Sequence, residues 1–219
     1  MRTLRIIFGP VALALITACS STPEMQDKPS SEFAGLNKVT GSGFSEAWAR
    51  PDAGLANYRA ISASELKSAD AEIVQPGQSL GSRISRDWEL TPERQQALSD
   101  AWATALDNAA GKQGLATDGG GDKVLRIDAA ITRIAPSANF AEEQQAAGRS
   151  TVYTEDSGEA SAEFRLYDQS SGELLAVIRD KRRVGSQVWS RSSTVSASAD
   201  VRNLLNSWAT RLMARITGN

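Results

Sequence analysis

The stretch ASAEFRLYDQSSGELLAVIRD, residues 160–180, predicts a β-hairpin and decides the fold class. In its first half, apolar residues such as Phe164 and Leu166 alternate with polar ones. That period of two is typical of a strand that buries one face and wets the other. The segment DQSSGE, residues 168–173, supplies a turn with a glycine where a positive backbone angle is expected.

The return strand, from Leu174 to about Val184, begins with LLAVI and is apolar on both faces. This pattern predicts a central strand whose two faces are both covered. Helices on one side of a sheet can cover only one of those faces. We therefore expect the other face to be shielded by residues 185–200, by N-terminal residues around Phe44 and Trp48, or by another protein.

Two segments have the period of amphipathic helices. The first begins with Thr91 as its cap and Pro92 in its first turn, and its apolar residues recur at helical spacing over 97–109. The second carries a continuous apolar stripe over residues 201–216. Because each helix has a single apolar stripe, both are expected to pack on one face of the sheet.

The order of these elements predicts an α+β fold. A strand at residues 58–63 precedes the first helix, and a strand at residues 123–134 follows it. A β-α-β connection of this kind places its two strands parallel, whereas the hairpin adds antiparallel strands. We expect a two-layer sandwich in β-α-β-β-β-α order, with a mixed, mostly antiparallel sheet and two helices on one face.

The N-terminus has the features of an export signal. Arg2 and Arg5 precede a mostly apolar run over residues 6–16, which is too short to span a bilayer. The residues Ile16-Thr17-Ala18-Cys19 resemble the bacterial lipobox, which implies that Cys19 is acylated and becomes the first residue of the mature chain. A plain signal peptide with a chance cysteine, or a short buried helix, is the alternative.

These features divide the chain into three parts. Residues 1–18 are expected to be a lipoprotein signal peptide, and residues 43–219 a single α+β periplasmic domain. Residues 19–42, rich in serine, threonine, proline and charge, are expected to be the lipidated N-terminus and a flexible tether. Ser20 directly after the cysteine is compatible with an outer-membrane location facing the periplasm.

Composition excludes several classes of enzyme. The chain has no histidine and a single cysteine, Cys19. Ser-His-Asp and Cys-His catalysis and ordinary zinc sites are therefore excluded, although a carboxylate-dependent enzyme is not. The formal net charge of −2 does not suggest nucleic acid as a partner.

The segment TDGGGD, residues 117–122, could be interpreted as a phosphate-binding loop or as a calcium site. It lacks the Gly-Lys-Ser/Thr that a phosphate-binding P-loop needs after its glycines. Asp118 and Asp122 are only two ligands, whereas calcium takes six to eight oxygens. A turn between helix and strand is the preferred interpretation, and we expect neither a metal nor a cofactor in the protein.

One surface is a candidate for binding a partner. Arg182 and Arg183 belong to a basic run, and Trp189 and Arg191 lie in the polar stretch that follows. Because tryptophan is enriched among interface hot spots, we expect a contact surface at Trp189 rimmed by these three arginines. The alternatives are a solvated strand end for the arginines and, for Trp189, a lid on the protein's own core.

Three stretches carry a resemblance to a known family: WARPDAGLANYRAI at 48–61, DQSSGELLAVIRD at 168–180 and LLNSWATRLMARI at 204–216. They resemble an uncharacterised family of bacterial lipoproteins known as domain of unknown function 3313. The resemblance implies an envelope lipoprotein with this element order and carries no activity.

We therefore expect an outer-membrane-anchored lipoprotein that acts as a non-catalytic binding or assembly module, with a protein partner or self-association. The alternatives are a carboxylate-dependent envelope enzyme and an accessory lipoprotein of a secretion or surface-assembly system.

Overall fold

The computed structural model describes residues 23–75, 88–117, 120, 123–136, 153–154, 158–185, 190–191 and 194–218. The elements within these ranges are β1 (Glu24–Pro29), β2 (Asn37–Thr40), β3 (Glu46–Ala49), β4 (Ala60–Ala63), β5 (Glu72–Ile73), α1 (Pro92–Lys112), β6 (Val124–Pro136), β7 (Tyr153–Thr154), β8 (Gly158–Asp168), β9 (Leu174–Val184), β10 (Ser190–Arg191) and α2 (Thr194–Thr217). The predicted α+β class is confirmed.

The main sheet has eight strands and is mostly antiparallel. Its order is β1-β2-β3-β9-β8-β6-β4, and β5 also pairs with β6. Both β4 and β5 run parallel to β6, as the connection through α1 predicts, and the remaining pairs are antiparallel. The short strands β7 and β10 pair separately with each other.

The predicted hairpin is formed by β8 and β9, with β9 in the interior of the sheet between β8 and β3. Gly172 has a φ of 72° in the turn, which a residue with a Cβ rarely adopts. Asp168 closes the turn because its carboxylate accepts the backbone N–H groups of Ser170 and Ser171 at 2.9 and 2.8 Å.

The main core is formed by residues of the sheet together with residues of both helices. The ring of Phe164 on β8 is fully buried, with centroids 5.3 Å from that of Trp102 in α1 and 5.8 Å from that of Trp208 in α2. One side chain of the sheet thus contacts both helices. The helix start at Thr91 is also as predicted, since its hydroxyl accepts the backbone N–H of Arg94 at 3.4 Å.

The structure corrects the expected tether. Residues 24–40 are not a flexible coil, because they contain β1 and β2, which extend the sheet beyond β3. All six residues of β1 are exposed, so pairing with β2 rather than a buried face holds the strand, and no apolar alternation marks it in the sequence.

The loop between β1 and β2 forms a second, smaller core on the other face of the sheet. Phe33 and Leu36 pack there with Trp48 of β3 and Val177 of β9. The rings of Phe33 and Trp48 meet edge to face with centroids 5.0 Å apart. The second face of β9 at Val177 is therefore covered by N-terminal residues, which was one of the three predicted alternatives.

The predicted signal peptide, residues 1–18, and Cys19 lie outside the described residues. Within the described part of the chain, neither helix combines the length and the apolar character that crossing a membrane requires.

Candidate functional site

An open groove of about 430 Å³ lies at one end of the molecule, between the N-terminal halves of α1 and α2 and the ends of β6, β8 and β9. Its floor is apolar, and six of its side chains are only partly buried against the main core: Leu98, Ala101, Ile134, Ala160, Val201 and Leu204. An apolar surface that remains open to solvent marks a candidate binding site.

The groove exists because the apolar stripes of the helices extend beyond the closed part of the core. In the C-terminal halves of the helices, Leu106 and Leu212 are at most 1% exposed. In the N-terminal halves, Leu98 and Val201 continue the same stripes but are only partly buried. The same helical spacing of apolar residues therefore fills the closed core at one end of the helices and lines the groove at the other end.

The two helices run in the same direction. Their C-terminal ends are adjacent, because the hydroxyl of Thr217 donates to the Gln113 side chain at 3.2 Å, and their N-terminal halves line the groove together. The positive ends of both helix dipoles thus lie toward the groove. In the first turn of α1, hydrogen bonds from its own backbone N–H and from Thr91 lower the pKa of Glu93.

The lining carries two arginines and one carboxylate. The guanidinium of Arg94 lies 4.9 Å from the ring centroid of Trp88 and donates to the carbonyl of Glu89. Glu159 is already paired, with Arg133 at 2.7 Å and Lys181 at 3.0 Å.

Arg202, the second arginine, is exposed on α2. Among the described residues no acid forms an ion pair with Arg94 or Arg202. The lining of the groove is therefore net positive.

The predicted contact surface is only partly described. Consecutive strand residues point to opposite faces, and Arg182 lies on the helix side, where it donates to Asp180 at 2.7 Å and to the carbonyl of Gly43 at 2.8 Å. Arg183 points the other way and is exposed. The alternation of the strand therefore directs Arg182 and Arg183 to opposite faces of the sheet.

The side chains of the two other residues of the predicted surface, Trp189 and Arg191, are not described. Trp189 is outside the described residues, and of Arg191 only its backbone position in β10, opposite Tyr153, is described. A contact surface at Trp189 stays a prediction.

Sequence reasoning missed a buried carboxylate, Asp180, which is 2% exposed. Its oxygens accept the backbone N–H and the hydroxyl of Ser45 at 2.9 and 3.0 Å, the Arg182 guanidinium, and the indole N–H of Trp208 at 2.9 Å. Asp180 therefore joins the segment before β3 to β9 and α2. The alternation of LLAVIRD contained the signal, since it places Asp180 on the same face as buried Ile178.

Asp168 and Tyr58, which are hydrogen-bonded to each other, both have shifted pKa values. In the hairpin turn, hydrogen bonds from Ser170, Ser171 and Tyr58 hold the pKa of Asp168 well below its usual range. Burial, followed by the hydrogen bond to Asp168 at 2.7 Å, raises the pKa of Tyr58 to about 12.

Glu163 lies on the sheet face opposite the helices. Burial opposes its ionisation, but hydrogen bonds from Arg179 and Arg165, each at 2.7 Å, outweigh this and lower its pKa.

These carboxylates do not form a catalytic pair in the groove. Asp168, Asp180 and Glu163 lie respectively in a turn, in the core and on the outer sheet face, and the described lining of the groove contains only Glu159. Asp118 and Asp122 lie outside the described residues, and within those residues no group of three potential metal ligands occurs.

Comparison with known proteins places the chain in a family. The family described as "Protein of unknown function (DUF3313)" matches residues 26–212, and the chain belongs to this family, as the sequence predicts. No curated protein matches the chain.

Two solved structures are similar to parts of the chain. The PelC dodecamer from Paraburkholderia phytofirmans is 12% identical over 70% of this chain and 88% of that one, with a TM-score of 0.37. A Xanthomonas campestris protein of the DUF330 family is 16% identical over 74% and 87% of the two chains, with a TM-score of 0.39. Likenesses this distant do not bear on function.

Proposed function

We propose that this member of the DUF3313 family is an envelope lipoprotein whose folded domain is a non-catalytic binding module. It is anchored to the outer membrane through lipidated Cys19 and faces the periplasm. The observation that carries the binding function is the open apolar groove. Its volume of about 430 Å³ lies within the roughly 300–1,000 Å³ of sites that hold small ligands.

The two-layer arrangement supports this use of the groove. Phe164 contacts both helices, which is consistent with a helical layer over one face of the sheet. In such a sandwich, the C-terminal halves of the helices complete the core and make the domain stable. The N-terminal halves are then available to hold a ligand, whose binding would remove the partly exposed stripe residues from water.

The position of β1 determines which edge of the sheet a lipid on Cys19 would hold near the membrane. Glu24, the first residue of β1, follows Cys19 by only five residues, which span at most ~18 Å when fully extended. A lipid on Cys19 would therefore keep the β1 edge of the sheet close to the bilayer. The groove is bordered by β9, β8 and β6 rather than by β1, and β8, the middle one of these strands, lies four strand spacings, about 19 Å, across the sheet.

Binding of an uncharged apolar dye tests the proposal. N-phenyl-1-naphthylamine gains fluorescence in an apolar site, and the full chain is expected to bind it at the groove. Ala97→Trp should abolish this binding, because Ala97 is exposed on α1 and lines the groove, so a large ring there fills the space without disturbing the core.

The matched control is Ala103→Trp, at an alanine of α1 that is equally exposed but does not line the groove. Dye binding that survives Ala97→Trp, or that is lost equally in both variants, would show that the groove is not the binding site. Circular dichroism of both variants verifies that the helices are retained.

A further inference from the structure

We infer that the groove binds the single acyl chain of an anionic lipid, with its headgroup held between Arg94 and Arg202. The inference rests on the proposed function, since it names the chemical class of the ligand for the same groove. It follows from three features of the described residues: the charge of the lining, the direction of the helices and the size of the groove.

The charge of the lining favours an anion. Arg94 comes from α1 and Arg202 from α2, so the two basic residues of the lining lie on separate helices. The only acid in the described lining, Glu159, already has two basic partners at 2.7 and 3.0 Å. Arginine suits this role because its planar fork of donors matches the oxygens of a carboxylate or phosphate.

The direction of the helices adds to the same field. Because α1 and α2 run parallel, the partial positive charges at their N-termini reinforce the arginines rather than cancelling each other. An uncharged or cationic amphiphile would gain nothing from this arrangement. The apolar floor and the positive lining together describe a ligand with an apolar tail and a negative head.

The size of the groove suits a single chain. About 430 Å³ lies near the lower end of the roughly 300–1,000 Å³ of sites that hold small ligands. A second copy of this chain is disfavoured by charge. A twofold contact through the groove would bring Arg94 and Arg202 against the same two residues of the other copy.

Titration calorimetry with two dodecyl compounds tests the inference. Dodecyl phosphate and dodecyl maltoside share one alkyl chain and differ in charge, and both are used below their critical micelle concentrations. The protein is the full chain carrying Cys19→Ala, purified without detergent. Dodecyl phosphate is expected to bind at least tenfold more tightly than the maltoside, and decyl phosphate about sixteenfold more weakly than dodecyl phosphate, at about fourfold per methylene.

Substitutions then assign the headgroup site. Arg202→Gln and Arg94→Gln should each weaken dodecyl phosphate about tenfold and leave dodecyl maltoside within twofold. Lys112→Gln removes one positive charge at the far end of α1, where Lys112 is exposed, and should change neither affinity. Ala97→Trp should abolish the binding of both compounds.

The outcomes separate the ligand class from the proposed function. If both compounds bind equally and Ala97→Trp blocks both, the groove is a binding site but the anionic class is wrong. If inorganic phosphate displaces dodecyl phosphate at equal concentration, the site takes a free anion and the lipid is wrong. If neither compound binds while Ala97→Trp dissociates a dimer of the intact chain, the occupant is a second copy. If nothing binds and no dimer forms, both proposals fail.

Discussion

Replacing Asp180 with alanine tests whether one buried carboxylate holds the N-terminal segment to the rest of the domain. The side chain of Asp180 has no exposed surface, and four donors converge on it: the backbone and hydroxyl of Ser45, the Arg182 guanidinium and the Trp208 indole. Alanine would leave the fully buried indole N–H without an acceptor.

The expected cost follows from those partners. A buried donor left without a partner costs roughly 1–3 kcal/mol, and breaking a buried charged pair by removing one partner costs roughly 3–5 kcal/mol. The Arg182 side chain is 35% exposed, so water can rehydrate it and reduce the second figure. We therefore expect Asp180→Ala to lower the free energy of unfolding by about 3 kcal/mol.

Equilibrium unfolding in urea measures this cost, with the fluorescence of the buried tryptophans as the signal. The matched control is Asp128→Ala, because Asp128 is 31% exposed and its ion pair with Arg126 at 3.4 Å should be worth at most about 1 kcal/mol. If Asp180→Ala costs no more than Asp128→Ala, the network is not holding the segment and the reasoning is wrong.

Three further predictions concern the anchor, the pH dependence and the second core. Cys19→Ala should abolish lipid labelling and release the protein from pelleted membranes, whereas Ser20→Ala should do neither; continued pelleting of the first variant would defeat the anchor. The free energy of unfolding should fall as pH rises from about 10 to about 12, because the unfolded chain loses the Tyr58 proton that the folded chain keeps, and Tyr58→Phe should remove this fall. The free energy of unfolding should also fall below about pH 4, because Asp168 takes up a proton there in the unfolded chain but, with its lowered pKa, not in the folded chain. If urea unfolding at a series of pH values shows no loss of stability at either extreme, both pH predictions are wrong. Trp48→Ala should lower the free energy of unfolding by about 3–5 kcal/mol, because Trp48 is only 7% exposed in the second core. A loss below about 1 kcal/mol would show that this core contributes little to stability.

The elements that could be predicted are those with one buried face, because their apolar residues recur with the period of a helix or a strand. The first strand of the hairpin and both helices alternate between core and solvent, and their periods differ, so pattern alone separates strand from helix. The strands β1 and β2 could not be found this way. Their side chains are exposed or half-buried. Backbone pairing of β1 with β2 and of β2 with β3 holds them in the sheet, and backbone pairing does not depend on side-chain type.

The groove could not be predicted because spacing does not determine depth. Leu98 and Leu106 both belong to the apolar stripe of α1, yet one lines an open groove and the other is closed into the core. Which of them is covered depends on how two helices distant in sequence pack on the sheet. Arg94 and Arg202 both line the groove for the same reason, and no local motif joins them.

The separation of Arg182 from Arg183 is a different kind of lesson, because the sequence already contained it. A basic run inside a strand divides between the two faces of the sheet, since neighbouring residues face opposite sides. Arg182 therefore balances buried Asp180 in the core, while Arg183 is left in water. The two arginines of the groove lining, Arg94 and Arg202, come instead from helices that are distant in sequence. In this fold, one member of a basic run stabilises the core, whereas the charge that we propose binds a ligand is assembled by the packing of the helices.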